Sequence, residues 1–253
     1  MRDLLREVAE QPQAKGTKKP AADPLEEPDK VLGDERQRWL APLGPAESAA
    51  ARCIYALDWM LVHSTFRLSV NGLWRLPEKG PFVLAPNHVS YLDSYVLAAV
   101  LDYKFLHETY WAGWTGVAFG PVFRLLRRLC HVVPIDPDRA AATSLAFGAA
   151  VLRDKHNLVW YPEGGHSKTG ELMQLRPGIG MLLQRYPVPV VPVTLKGTRD
   201  SLPPGRYVPR PGWVQITFGA PLDPHELEKK GQGVQPYERI TNALREEMAG
   251  LAT

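Results

Sequence analysis

"FVLAPNHVSYLDSYVLAAVL", residues 82–101, is the stretch on which the fold turns. "FVLAPN" has the length and apolar character of a buried strand, and "SYVLAAVL" has the character of a helix. Related short runs follow: "HVVPID" at 131, "LVWYPE" at 158, "VPVVPVTLKG" at 188 and "WVQITFG" at 213. Helical segments such as "AAATSLAFGAAVLRD" lie between the first four. This alternation predicts an α/β domain with a largely parallel sheet flanked by helices. Catalytic groups are then expected at strand ends and in the loops that follow.

Toward the amino terminus, "PAESAAARCIYALDWMLVHSTF" from Pro45 predicts an amphipathic helical segment, with Glu47 in its first turn. Ala50, Ile54, Leu57 and Leu61 share one face at helical spacing. That face is expected to pack on the core; the alternative is a helix lying on a bilayer with Trp59 at the interface. "MRDLLREVAE" also has helical spacing, and reads either as the remnant of another domain or, more simply, as a frayed amino terminus. Residues 11 to 35 combine Pro, Lys, Glu and Ala with almost no large apolar residue, a composition that cannot offset its own ordering entropy. Residues 1–35 are accordingly expected to be a disordered tether, and 36–253 one domain, closing with a helix over "PYERITNALREEMAG".

The 253 residues, 45% hydrophobic and 23% charged, suffice for a sizeable core. The formal charge of +3 is unevenly placed: residues 1–35 hold 6 Lys/Arg and 9 Asp/Glu, leaving 24 and 18 in the remainder. A basic body suits an anionic membrane face or a phosphate-bearing substrate, or is simply a solvated basic surface. Cys53 and Cys130 form neither a disulfide framework nor a close metal-ligand pair, which fits a reducing compartment. Charged residues interrupt every apolar run before the roughly 18–20 residues a spanning helix needs, so none is predicted. The amino terminus has no apolar core of a secretory signal. A cytoplasmic location follows as the expectation.

If the helix begins near Ser90, His88 sits in the turn and Asp93 falls in the first helical turn, so their side chains can meet. A carboxylate bonded to one imidazole nitrogen fixes the tautomer and leaves the other nitrogen free to take a proton from a hydroxyl. The competing reading is purely structural, because Ser90 followed by Asp93 is also a capping-box pattern. "YPEGGHS", residues 161–167, ends the strand "LVWYPE". There Gly164 and Gly165 permit backbone conformations that let N–H groups converge on a phosphate or oxyanion. Glu163 could hydrogen-bond an acceptor or hold the loop. Alternatively the segment is an ordinary glycine-rich turn. "GHSKTG" is no nucleophile elbow, because Thr169 stands where that pattern needs glycine. His63, His107, His131, His156 and His225 lack partners at motif spacing.

The two motifs in this order resemble the glycerolipid acyltransferase family, which includes the 1-acylglycerol-3-phosphate acyltransferases. "NHVSYLD" is similar to its Asn-His, four residues, Asp block. "YPEGGHS" is similar to its Phe-Pro-Glu-Gly-Thr-Arg-Ser, and "VVPVTLKGT" to its Val-Pro-Val block. The resemblance spans roughly residues 60 to 220. It implies a glycerolipid-acyltransferase-like fold, with His88 as general base and Asp93 as its orienting partner. It further implies a long-chain thioester donor, acyl-CoA or acyl carrier protein, and a lysophospholipid acceptor. No covalent acyl-enzyme, cofactor, metal or nucleic acid is implied. Asn87, Ser90, Glu163, Gly164, Gly165, His166 and Ser167 are expected to line the substrate site, with backbone amides near the two motifs holding the oxyanion.

Two departures stand out. His166 and Gly165 occupy the places of the family's Arg and Thr, and "VVPIDPDR" carries Pro137 where the resemblance implies arginine. Histidine is only partly cationic near neutral pH, so the grip on a phosphomonoester is weakened. Arg139 and Arg176 are the expected replacements, with Lys168 read as a solvated surface residue. In "GWTGVAFGPVFRLLRRLCHVV", Trp114, Phe119, Phe123 and Leu126 lie near Arg124, Arg127 and Arg128, which suits contact with a membrane surface. The expectation is therefore a peripheral O-acyltransferase of phospholipid synthesis or remodelling on the inner face of a membrane. The alternatives are a non-phosphomonoester acceptor, such as a lysophosphatidylethanolamine-like lipid, and a lipid-binding module without turnover.

Overall fold

The computed structural model describes residues 22–251 apart from 115–120, 137, 139, 204, 205 and 207. Phe119, Pro137 and Arg139 thus lie outside the described residues, as do the side chains of Trp114 and Phe123 and the segment "MRDLLREVAE". Seven strands form one sheet: β1 (Phe66–Asn71), β2 (Val83–Pro86), β3 (Thr109–Trp114), β4 (Val132–Ile135), β5 (Asn157–Val159), β6 (Val190–Lys196) and β7 (Gly212–Phe218). Their spatial order is β1-β7-β6-β2-β5-β3-β4. Every neighbouring pair is parallel except β6 with β7.

Eleven α-helices are described: α1 (Pro28–Leu32), α2 (Asp34–Leu40), α3 (Pro45–Thr65), α4 (Leu92–Val100), α5 (Tyr103–Leu106), α6 (Pro121–Leu129), α7 (Ala141–Arg153), α8 (Gly178–Arg185), α9 (Thr198–Ser201), α10 (Pro224–Lys230) and α11 (Pro236–Leu251). Successive side chains of a strand point to opposite faces, and a sheet covered on both faces therefore reads as an unbroken apolar run. Val83 and Ala85 join a core with α1, α2, α7, α8, α10 and α11. Phe82 and Leu84 join a second core with α3, α4 and α5. The expected α/β class is the one observed. Two strands, β1 and β3, add to the five that the sequence suggested.

Two expectations are corrected. Residues 22–35 are not a free tether: Leu25 and Leu32 are buried against α7 and the sheet. Arg185 pairs with Glu26 at 2.7 Å and Arg153 with Asp29 at 2.9 Å. Two leucines and these pairings supply contacts that composition averaged over the segment conceals. The second correction concerns α3, whose buried residues are Ala51, Tyr55 and Val62. Ala50 is exposed and Ile54 only half-buried. Leu57 and Leu61 are 53% and 52% exposed. The helix is apolar nearly all round, so periodicity alone does not choose its inner face. Tyr55 decides it, because its hydroxyl reaches across to donate to the Cys130 carbonyl at 3.1 Å.

Parallel register sets the site. Leu84 pairs with Val159 and Pro86 with Val193, which brings the loops leaving the carboxyl ends of β2 and β5 together beside β6.

Candidate active site

His88 follows β2 by two residues, and its Nδ1 lies 2.9 Å from Asp93 Oδ2. The same oxygen accepts the amides of Val89 at 2.7 Å and Ser90 at 2.8 Å. Capping and orientation are therefore one arrangement rather than alternatives. Asp93 is fully buried and its Oδ1 has no partner. A carboxylate that accepts from Nδ1 places the imidazole proton there and leaves Nε2 with a free lone pair, the form a general base requires.

The other expected residues divide into scaffold and lining. Glu163 is buried, and both its oxygens accept backbone amides: Oε1 from His88 at 2.7 Å and Oε2 from Met173 at 2.8 Å. Burial raises its pKa while these two bonds oppose the rise. Of the two roles open to Glu163, these bonds show the holding of the loop. Asn87 likewise clamps Leu195, donating to its carbonyl at 3.1 Å and accepting its amide at 2.7 Å. Ser90 accepts the Leu92 amide at 3.2 Å and donates to the Leu202 carbonyl at 2.9 Å. Ser167 accepts the Gly170 amide at 3.0 Å, and its own amide donates to the His88 carbonyl at 2.8 Å. All three are buried, and these bonds hold the loops that shape the site. Of the amides expected to hold the oxyanion, those of His88, Val89 and Ser90 already serve carboxylates.

Gly164 has φ +72°, and a Cβ there would sit 2.4 Å from Arg176 Nε, so glycine is required on two grounds. Gly165 faces open space. Arg176 lies over Gly164 but its Nη1 pairs with Asp138 at 2.8 Å, which offsets its charge. His166 is brought onto His88, with ring centroids 3.8 Å apart. Burial, and then the proximity of His88, lower its pKa to about 4, so it is neutral at physiological pH. Tyr161 stacks on His88 at 4.0 Å and its hydroxyl meets Ser94 Oγ at 2.7 Å.

Arg199, immediately after the Val-Pro-Val block, was not singled out by sequence. It donates to the Ser167 carbonyl at 2.8 Å and to the Lys168 carbonyl, tying α9 to the second loop. Its position beside "VTLKGT" was the only signal. Of the basic cluster on α6, Arg124 is exposed. Arg127 donates to the Gly113 carbonyl at 3.0 Å, and Arg128 pairs with Glu47 at 3.3 Å. Two of the three cations expected to meet lipid therefore turn inward to tie elements together.

An Asn-His-x4-Asp turn lies next to a Glu-Gly loop on a largely parallel sheet, and the Acyltransferase family model matches residues 67–196; the chain belongs to that family. Among its relatives, the chloroplastic 1-acyl-sn-glycerol-3-phosphate acyltransferase BAT2 of Brassica napus is 31% identical over 149 residues, covering 57% of this chain and 41% of that protein. The human 1-acyl-sn-glycerol-3-phosphate acyltransferase alpha is 28% identical over 155 residues, covering 57% and 52%. The chain thus spans about half the length of the curated relatives it matches, or less. The crystal structure of the 1-acyl-sn-glycerophosphate acyltransferase PlsC from Thermotoga maritima has the same fold. It aligns with TM-score 0.60 and 19% identity over 89% of this chain and 90% of that one.

Proposed function

We propose that the protein is an O-acyltransferase that moves a long acyl chain from a thioester, acyl-CoA or acyl carrier protein, to a hydroxyl of a lysophospholipid resembling 1-acylglycerol-3-phosphate. The observation that carries this reading is the His88–Asp93 pair at 2.9 Å. His88 Nε2 takes the proton of the acceptor hydroxyl, and the oxygen attacks the thioester carbonyl. The C–S bond then breaks, and the departing thiolate takes the proton back from the imidazolium. No acyl-enzyme and no added cofactor enter the scheme. The names of the relatives support the acceptor class.

A membrane surface is the second part of the proposal, on the inner, cytoplasmic side. Its support is the outward apolar face of α3, where Leu57, Met60 and Leu61 are each more than half exposed, together with exposed Leu125 on α6. Such a face inserts shallowly into a bilayer. No helix among the described residues is long and apolar enough to cross one. A second reading of the acceptor, one without a terminal phosphate, is favoured by neutral His166 and by the pairing of Arg176 with Asp138.

The test is thiol release from a long-chain acyl-CoA by the purified protein, with and without lysophosphatidic acid, lysophosphatidylethanolamine and monoacylglycerol, beside His88→Ala. Release that needs both an acceptor and His88 is expected. Release unaffected by acceptor would indicate thioester hydrolysis. Lipid binding without release from acyl-CoA, or from an acyl carrier protein thioester tried in its place, would indicate a binding module.

A further inference from the structure

The loop that carries His166 is expected to meet the acceptor, yet the polar atoms of this side chain do not face an open site. One ring nitrogen is engaged by the Ser90 backbone, and Nε2 is buried with no hydrogen-bond partner. What the residue offers is its ring. Its centroid lies 3.8 Å from that of His88, and Tyr91 closes on it edge-first at 4.4 Å. Tyr161 stacks on His88 at 4.0 Å. Two rings this close to one imidazole cannot share a face, so His88 is held between them. The Ser167 amide, one residue beyond His166, donates to the His88 carbonyl at 2.8 Å and keeps the two loops in this register.

We propose that His166 is a positioning residue for His88, completing an aromatic clamp with Tyr161 that fixes the plane of the base, rather than a group that grips the acceptor. The inference rests on the reading of His88 as general base. The physical need is clear from the Asp93 bond. The Cβ–Cγ bond and the hydrogen bond at Nδ1 fix the tautomer and one edge of the ring, but leave the imidazole free to rock about that edge. Nε2, the atom that must meet the hydroxyl, lies on the far side of the ring and moves most. A ring against each face removes that freedom, and displacements of about 1 Å at a reacting atom can cost about 10²-fold in rate. The neutral state of His166 agrees with this role, because a charge is not needed for stacking.

The experiment compares wild type, His166→Ala, His166→Phe and His88→Ala with palmitoyl-CoA and the lysophospholipid that gives the highest wild-type rate, resolving kcat from the acceptor KM. Expected for His166→Ala is a kcat lowered by about 10- to 100-fold, with acceptor KM within about twofold of wild type. His166→Phe, which keeps the flat ring and discards both nitrogens, should recover most of kcat. A raised acceptor KM with unchanged kcat in His166→Ala, or a Phe variant as impaired as the Ala variant, would overturn the proposal. If His166→Ala does not fold, His166→Leu takes its place. Solvent exchange of the His88 Nδ1 proton, followed by NMR without substrate, gives an independent readout. It should accelerate in the Ala variant and stay slow in the Phe variant, and equal exchange in both would also overturn the clamp. A His88→Ala variant as active as wild type instead removes the base assignment itself, a failure separable from that of the clamp.

Discussion

Asp93 Oδ2 simultaneously accepts from His88 Nδ1 and from the amides of Val89 and Ser90, so one buried oxygen both starts helix α4 and sets the tautomer of the base. Asp93→Asn offers an amide that can donate toward Nδ1 and favour the opposite tautomer. Turnover is expected to fall by about 10²–10⁴-fold, the range associated with general-base catalysis. Circular dichroism should show the fold retained. Near-wild-type kcat in this variant would remove Asp93 from its orienting role.

Glu163 bridges the two loops through His88 N and Met173 N. Glu163→Gln retains one carbonyl oxygen and presents an NH₂ to the second amide, leaving a buried donor unsatisfied. That loss is expected to cost about 1–3 kcal/mol, and a thermal melt should show a lower Tm with a matching loss of turnover. An unchanged melt with only the acceptor KM raised would restore Glu163 to substrate binding.

Asp58 on α3 has a buried Oδ2 without a partner, and burial pushes its carboxyl up to about 7. Tyr55, Tyr95 and Cys130 face it, and none is cationic. An unfolded aspartate titrates near 3.9, so between about pH 4 and 7 the folded chain binds the extra proton. Its stability therefore falls as pH rises through that window. Asp58→Asn should raise Tm at pH 8, and the gain should shrink toward zero near pH 4. A gain independent of pH would show that the carboxyl does not titrate there.

Leu57, Met60 and Leu61 are more than half exposed on α3. Replacing Leu57 and Leu61 together by Glu should leave the melting temperature nearly unchanged, since surface substitutions typically fall within about 0.5 kcal/mol. Sedimentation with vesicles containing anionic phospholipid should fall at least severalfold. Equal vesicle binding by this variant and wild type would move the lipid contact away from α3.

Much of this molecule is written locally in the chain. Buried parallel strands announce themselves as short apolar runs, and the α/β class, five of the seven strands and helices α3, α4, α7 and α11 are legible in the sequence. The His88–Asp93 pairing was equally legible, because a turn and a single helical turn bring those side chains together whatever else the chain does. What needed tertiary structure was every choice between two faces and every bond between distant segments. The outward turn of α3 depends on Tyr55 reaching Cys130, and the ordering of residues 22–35 depends on Leu25 and Leu32 finding a core built by segments far along the chain. Glu163 holds a loop because His88 N and Met173 N lie on either side of it. Local pattern records what each segment can bury or bond. Only packing decides which of those capacities are met inside the protein and which remain for a lipid or an acceptor.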